Sequence, residues 1–246
     1  MQDETSRNLR LESLDVDEAI RESAHNAEVA LAEEGDTRLG FFKKAGIAGG
    51  AVMGGGALIS ALVPGTAMAA RGGRPPKEFG KGDIGILNYA LTLEYLEAAF
   101  YNEATANNSS GTPFATENTA VFLATVTKDE NVHVKFLEEA LGRKAIKEPK
   151  FNFGTTTENL EEFVATSVSL ENTGVSAYSG QALNIEDPAN VAAALSIVTV
   201  EARHASVIGL IEKKSAMGIS PDGPFDKPLS ARKVLRAVKK TGFITG

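Results

Sequence analysis

The stretch that decides the fold runs from residue 122 to residue 140 and reads FLATVTKDENVHVKFLEEA. Apolar side chains recur in it at steps of three and four residues, which predicts an α-helix with one face turned towards a core. Glu130 and His133 interrupt this apolar stripe near its middle. A spacing of three residues places both side chains on the same helix face, one turn apart. The helix therefore carries a carboxylate and an imidazole where a bundle helix normally carries apolar side chains.

Three other segments repeat this pattern. One stripe is centred on Glu94, a second on Glu171, and a third on Glu201, which is followed after three residues by His204. No segment shows a sustained period of two, so we expect essentially no β-sheet. The connections are short except the one between the second and third helices, which favours antiparallel neighbours. The predicted fold class is all-α, an antiparallel four-helix bundle.

The ends of these helices carry recognisable signals. Asp83 is the expected N-cap of the first helix, Pro113 or Thr116 begins the second, Gly142 stops it, and Pro188 begins the fourth. The four helices are predicted over about residues 83–106, 116–141, 157–183 and 188–217.

Four carboxylates that converge in one core would repel each other, and removing each from water unpaired is costly. Two divalent cations reverse this, because they set four positive charges against four negative ones. A helix with a lone glutamate beside a helix with Glu-x-x-His, repeated once, is the carboxylate-bridged arrangement of dinuclear iron and manganese proteins. The sequence therefore predicts a site for two Fe or Mn ions, with the ligands Glu94, Glu130, His133, Glu171, Glu201 and His204.

Three further residues lie on or beside these stripes. Glu97 is an additional candidate metal ligand, and three roles stay open for it: an acid behind the ligands, a terminal ligand that swings in, or a partly exposed neighbour. Tyr101 and Tyr178 are candidate catalytic residues that would donate electrons or hydrogen-bond a bound oxygen species. The alternative for either tyrosine is an ordinary core aromatic residue with a polar tip.

The composition excludes several classes of function. The chain has 246 residues, no cysteine, no tryptophan and a net charge of -7. Without cysteine there are no disulfides, iron–sulfur clusters or thiol catalysis. The negative charge and the few aromatic residues argue against nucleic-acid binding. The remaining histidine, His25, lies in an acidic segment and is predicted to be a surface residue.

The region before the bundle changes character abruptly. Residues 1–36 are polar and acidic, whereas residues 45–70 carry no charge at all. A basic flank precedes this apolar run, and Ala67-Met68-Ala69 near its end fits a cleavage pattern. The run resembles a twin-arginine export signal, except that Arg38 is followed by Leu39 instead of a second arginine. Three interpretations stay open: a cleaved signal, an uncleaved membrane anchor, or a decayed signal on a cytoplasmic protein.

These features predict five regions along the chain. After the bundle, a short basic helix is expected from about residue 229 to residue 240, with Ser230 as its cap. The regions are an acidic arm at 1–36, a signal or anchor at 37–70, a linker at 71–81, the bundle at 82–218 and a tail at 219–246.

Three strings resemble a known group of proteins. They are LEYLEAAFY at residues 93–101, ENTGVSAY at 171–178 and VEARHA at 200–205. They resemble the ferritin-like superfamily, and more narrowly its exported members related to desiccation-associated proteins. The resemblance covers about residue 81 to the end of the chain. It implies that the glutamates and histidines assigned above bind metal, and it supports export because twin-arginine-like leaders are common in this group.

The expected function is that of a redox protein which reacts with O2 or peroxide and protects against oxidative or desiccation stress, as a ferroxidase or a peroxidase. One alternative is an enzyme similar to manganese catalase, and another is a non-enzymatic structural protein of the cell envelope. The expected partners are metal ions and O2 or peroxide, with a membrane tether through 45–70 and a homo-oligomer left open. Glu130→Ala and His204→Ala are each expected to remove both metals.

Overall fold

The structure is a computed structural model that describes residues 73–110, 113–213 and 216–245. The acidic arm, the apolar run and His25 lie outside the described residues. The helices are α1 (Gly82–Ser110), α2 (Glu117–Leu141), α3 (Leu160–Gln181), α4 (Pro188–Lys213), α5 (Ala216–Ile219) and α6 (Ala231–Thr241). The described residues contain no β-strand, only an isolated antiparallel bridge between Phe151 and Ile244. The all-α prediction is therefore confirmed.

The bundle consists of two helical hairpins. The most extensive helix interfaces join α1 to α2 and α3 to α4. α1 is the most deeply enclosed helix, and its side chains from Gly85 to Ala98 are buried without a break. Away from the middle of the bundle, Phe100 of α1 stacks on Phe163 of α3 with ring centroids 5.6 Å apart. Apolar contacts of this kind hold the two hairpins together and leave the middle of the bundle to polar side chains.

The helix ends differ in places from the expected ones. α2 begins after Thr116, whose side chain caps it by accepting a hydrogen bond from the backbone N–H of Thr119, and it ends at Leu141 with Gly142 as its C-cap. α3 begins at Leu160 instead of near 157, because the Asn159 side chain caps it by accepting from the backbone N–H of Glu162 at 2.9 Å. Thr157 is buried in the preceding turn.

Asp83 does not serve as the N-cap of α1. The helix begins one residue earlier, at Gly82. The Asp83 carboxylate instead accepts hydrogen bonds from the backbone N–H groups of Glu186 and Asp187, at 2.8 and 2.9 Å. Hydrogen bonds to the charged form stabilise it, and although burial opposes the effect, the pKa of Asp83 is lowered. Asp83 therefore anchors the connection between α3 and α4.

The short helix α6 packs on α3 through its apolar side. Val234 and Val238 are buried, and Leu235 is partly buried. Ser230 stands at the N-cap position but its side chain makes no capping hydrogen bond. The segment before α1 also reaches this helix, since the Gly73 carbonyl accepts from the backbone N–H of Ala231 at 3.0 Å.

Among the described residues, α4 is the one helix whose length and apolar composition would allow it to cross a bilayer. Core helices of bundles meet the same criterion. α4 packs against α3 and carries the buried side chains of Glu201 and His204. We therefore assign α4 to the bundle.

Candidate metal centre

The middle of each long helix supplies one fully buried carboxylate. Glu94 of α1, Glu130 of α2, Glu171 of α3 and Glu201 of α4 each have 0 % of their surface exposed. His133 and His204 lie one turn after the second and fourth of them and are also buried. Each helix places its polar residue on the core side because the apolar stripe around it must face the core.

The side chains form a first group around His133. Its Nδ1 atom lies 3.2 Å from one oxygen each of Glu94, Glu130 and Glu201. These ligand atoms all lie within 4.8 Å of one another. A cation placed among them would therefore reach three carboxylates and one imidazole, which is the donor chemistry of iron, manganese and similar borderline metals.

A second group forms around His204. Its Nδ1 atom lies 3.1 Å from Oε1 of Glu130 and 3.4 Å from Oε2 of Glu171. Glu201 completes this group, again with ligand atoms within 4.8 Å. Glu130 and Glu201 thus belong to both groups. Oε2 of Glu130 faces His133, whereas Oε1 of the same carboxylate faces His204.

Several of these buried atoms lack a hydrogen-bond partner. The atoms in question are Oε2 of Glu94, Oε1 of Glu130, Oε2 of Glu171, both oxygens of Glu201 and Nδ1 of His204. Buried polar atoms are normally satisfied, so a concentration of unsatisfied acceptors requires an explanation. Divalent cations at this place would satisfy all of them and would offset the buried negative charge. The residues present therefore fit a pair of metal ions.

Burial and mutual repulsion change how the carboxylates titrate. Burial raises the pKa of Glu130 to about 7, and the charge of Glu94 adds to the rise. Burial and repulsion by Glu130 raise the pKa of Glu201 well above its ordinary value. The same two causes, with Glu201 as the nearest charge, raise the pKa of Glu97. Without metal, the cluster therefore retains protons at neutral pH.

The histidines are affected in the opposite sense. Burial alone would lower the pKa of His204, but the negative charges of Glu130 and Glu171 beside its Nδ1 outweigh burial and raise the pKa to about 11. For His133, the charge of Glu94 likewise outweighs burial and raises the pKa. Burial would raise the pKa of Glu94, yet His133 beside it lowers that pKa. Both shifts favour the protonated imidazoles in the metal-free protein, and their positive charge offsets part of the charge of the carboxylates.

Two tyrosines donate hydrogen bonds to Glu94 and Glu171, the carboxylates that belong to only one group each. Each tyrosine lies on the opposite hairpin from the glutamate that it contacts. The Tyr178 hydroxyl of α3 donates to Oε1 of Glu94 on α1 at 2.5 Å. The Tyr101 hydroxyl of α1 donates to Oε1 of Glu171 on α3. Each tyrosine follows one of these two glutamates by seven residues on its own helix but contacts the glutamate of the other helix. This reciprocal arrangement ties α1 to α3 at the site.

Asp129 was not identified from the sequence. Its Oδ2 lies 3.3 Å from Nε2 of His204, so it can hold the outer nitrogen of this imidazole while Nδ1 faces the carboxylates. Such a partner fixes the orientation and basicity of a metal-binding histidine. Asp129 directly precedes Glu130, outside the apolar stripe, and nothing in its spacing distinguishes it from an ordinary surface acid.

Glu97 lies beside the two groups but belongs to neither. It is 3 % exposed, so the partly exposed neighbour, one of the three roles left open for it, does not apply. Its Oε2 atom has no hydrogen-bond partner. A β-carbon added at Gly174 would lie 3.3 Å from the other oxygen of Glu97 and 2.9 Å from Oε2 of Glu201. Glu97 and the shared ligand Glu201 thus both lie against the bare backbone of Gly174.

Gly174→Ala is expected to weaken metal binding at least tenfold, or about 1.4 kcal/mol. The new methyl group would meet Oε2 of Glu201 at 2.9 Å and push this shared carboxylate out of place. Titration of the apo-protein with Fe(II) or Mn(II) measures the change. Ser176→Ala, on the same helix and only partly buried, is the control. Unchanged affinity in Gly174→Ala would contradict the role given to Glu201.

An open groove leads from the surface towards the site. It has a volume of about 1400 Å³ and lies between α2, the start of α3 and α4. Its walls are mainly apolar, with Val121 and Val207 exposed, and Asp129 and His204 also line it. The groove gives small molecules a route to the histidine side of the metal centre.

The family comparison agrees with this geometry. The sequence model of the ferritin-like domain matches residues 82–214, which covers the four long helices and all the residues of the two groups. The chain belongs to the ferritin-like domain family. A comparison with curated proteins gave no match.

Proposed function

We propose that the chain binds two iron or manganese ions, held by Glu94, Glu130, His133, Glu171, Glu201 and His204. The observation that carries the proposal is the position of Glu130, whose two oxygens face two different histidines, 3.2 and 3.1 Å away. A carboxylate placed in this way can bridge two ions. Glu97 supplies a further buried acid that can join the ligands when the charge of the site changes.

Two such ions would supply redox chemistry, since iron and manganese cycle between divalent and trivalent states and react with O2 or peroxide. The protein side chains provide the conditions for this chemistry. Tyr101 and Tyr178 orient the carboxylates of Glu171 and Glu94 and place hydroxyl groups at the edge of the site. Asp129 orients His204. The surrounding helices exclude water from the carboxylates, which strengthens their attraction for cations.

The proposed role is the oxidation of ferrous iron or the consumption of peroxide, as protection against oxidative or desiccation stress. We further propose that residues 37–70 direct the protein to export or to the cell envelope, and that the uncharged residues 45–70 tether it to a membrane when they are not cleaved. The absence of charge over these 26 residues supports the tether, because about 20 apolar residues suffice to span a bilayer.

Elemental analysis of the purified full chain tests the metal proposal. We expect about two Fe or Mn ions per chain, as in other dinuclear helical bundles. Addition of Fe(II) and O2 to the apo-protein should produce the absorption of ferric iron bound by carboxylates, at a rate above that of the buffer. Rapid turnover of peroxide by the manganese form alone would instead support the alternative similar to manganese catalase. Bound metal without any reaction would support a structural role, and a chain without metal would overturn the proposal.

Metal affinity is expected to fall as the pH is lowered from 8 to 6. The raised pKa values of Glu130 and of the two histidines mean that protons and metal ions compete for the same atoms. Calorimetric titration with metal in buffers of different ionisation enthalpy counts the protons released, and we expect at least about one per metal ion. Binding without proton release would show that the cluster is already deprotonated.

A further inference from the structure

Helix α6 carries two opposite faces. Ala231, Val234 and Val238 are buried against the bundle. The other side exposes five cations and no acid: Arg232, Lys233, Arg236, Lys239 and Lys240. Five positive charges in 11 residues are a strong local concentration on a chain whose net charge is -7. We call these five side chains the basic face.

The basic face has no acidic partner in the described part of the chain. Among the residues that the structure describes, no acid lies within ion-pair distance of any of its five cations. Outside this helix, four of the described lysines and arginines lie within ion-pair distance of an acid, namely Arg74, Lys135, Lys213 and Lys227. The basic face is thus free to meet an anionic surface, and its spacing along one helix suits a flat surface better than a single small anion.

The first described residue after the apolar run, Gly73, contacts this helix. The Gly73 carbonyl accepts hydrogen bonds from the N–H of Ala231, the first residue of α6, at 3.0 Å and from the Gln181 side chain at 2.8 Å. The uncharged run ends at Ala70, three residues earlier. Three residues extend at most about 11 Å. Gly73 is therefore a fixed point beside the start of the basic face, and only three residues of sequence separate it from the uncharged run.

We propose that the basic face binds the surface of a bilayer rich in anionic phospholipids. Residues 45–70, held in the same bilayer, would bring it within reach of the headgroups. Polybasic segments beside a membrane anchor gain affinity from anionic headgroups, and the gain disappears at high salt. The inference rests on the proposed membrane tether and is independent of the metal chemistry.

The chain contains no tryptophan, so a single introduced tryptophan reports on one place. We would place it at Ala237, an exposed position on α6, and compare Ala124→Trp on α2 as the control. The full-length protein is mixed with vesicles of phosphatidylcholine alone or with about one third phosphatidylglycerol. We expect a blue shift of emission at position 237 with the anionic vesicles only, reversed by about 1 M salt, and no shift at position 124.

A charge-reversal variant of α6 provides the second test of vesicle binding. Arg232→Glu, Arg236→Glu and Lys239→Glu together should abolish the shift at position 237 and reduce flotation with anionic vesicles at least tenfold relative to the original protein. Lys135→Glu, Lys147→Glu and Lys213→Glu make the same change of charge on other exposed surfaces and should leave both readouts unchanged. Residues 45–70 alone can carry the chain onto neutral and anionic vesicles. If flotation is therefore equal with both kinds of vesicle, the emission shift at position 237 decides the result.

Three results would overturn the proposal. The first is an equal shift with neutral and anionic vesicles, and the second is an equal loss in the control charge variant. The third is a change of oligomeric mass in the α6 variant with vesicle binding intact, which would make the basic face an interface between copies. The metal content of the α6 variant is measured in parallel. If this variant binds as much metal as the original protein but not the anionic vesicles, the failure concerns the membrane proposal and not the proposed metal function.

Discussion

Glu130→Ala is expected to remove both metal ions, from about two per chain to fewer than about 0.5 after dialysis at micromolar free metal. Glu130 belongs to both groups of ligands, with one oxygen beside each histidine. Its loss therefore leaves each ion with fewer ligands and removes the connection between them. Elemental analysis of the dialysed variant, with protein concentration from amino-acid analysis, measures the ratio of metal to protein.

The structure and the sequence predict different results for His204→Ala. The sequence pattern predicts the loss of both ions, whereas the structure predicts the loss of one. The imidazole belongs to the second group only, so this variant should retain the first ion, coordinated by His133. Glu139→Ala, exposed on the same helix as Glu130, is the control and should keep both ions. A Glu130→Ala protein that still binds two ions would refute the bridging role.

Removal of metal is expected to lower the melting temperature by about 8–16 °C. A ligand present at about a thousand times its dissociation constant stabilises the native state by about 4 kcal/mol, and each kcal/mol shifts a domain of this size by about 2–4 °C. In the apo-protein, Glu94, Glu130, Glu171 and Glu201 still lie buried together, and the relief of their repulsion is part of this binding free energy. Circular dichroism at 222 nm, with and without chelator, measures the difference.

The same measurement on Glu130→Ala provides the comparison. This variant should melt at one temperature whether or not chelator is present, because it has little metal to lose. A metal-loaded original protein that melts at the same temperature after metal removal would show that the ions do not stabilise the bundle. The chain would then have to compensate its buried carboxylates with protons alone.

The buried glutamates and histidines of the two groups were predictable because a polar residue in an apolar stripe is visible in the sequence. Spacing alone was not sufficient. Glu22 and His25 also stand three residues apart, but they lie in the acidic arm. What distinguished Glu130 with His133 was the apolar residues on the same face before and after them, and the lone glutamates on two other stripes. This reasoning also predicted Glu97 as a candidate, but it could not predict its burial.

Other parts of the site were not predictable. Asp129 contacts His204 across 75 residues of sequence, and its own position is indistinguishable from that of a surface acid. Gly174 looks like any small residue in a helix, although Glu97 and Glu201 both lie against its backbone. The start of α3 was predicted three residues early, because the threonine-rich segment before it forms a turn that is closed by the Asn159 cap.

The sequence by itself determined the four helices, their core faces and the six buried glutamates and histidines of the two groups. These are local properties: periodicity, capping and the placement of a charge within an apolar stripe depend on residues a few positions apart. The tertiary structure decided which ligands are shared and which tyrosine supports which glutamate. Tyr101 lies on the same stripe as Glu94 yet donates to Glu171, 70 residues away. Only the packing of one hairpin against the other brings such atoms together, because side-chain direction across a helix interface is set by the crossing of the helices and not by spacing along either one.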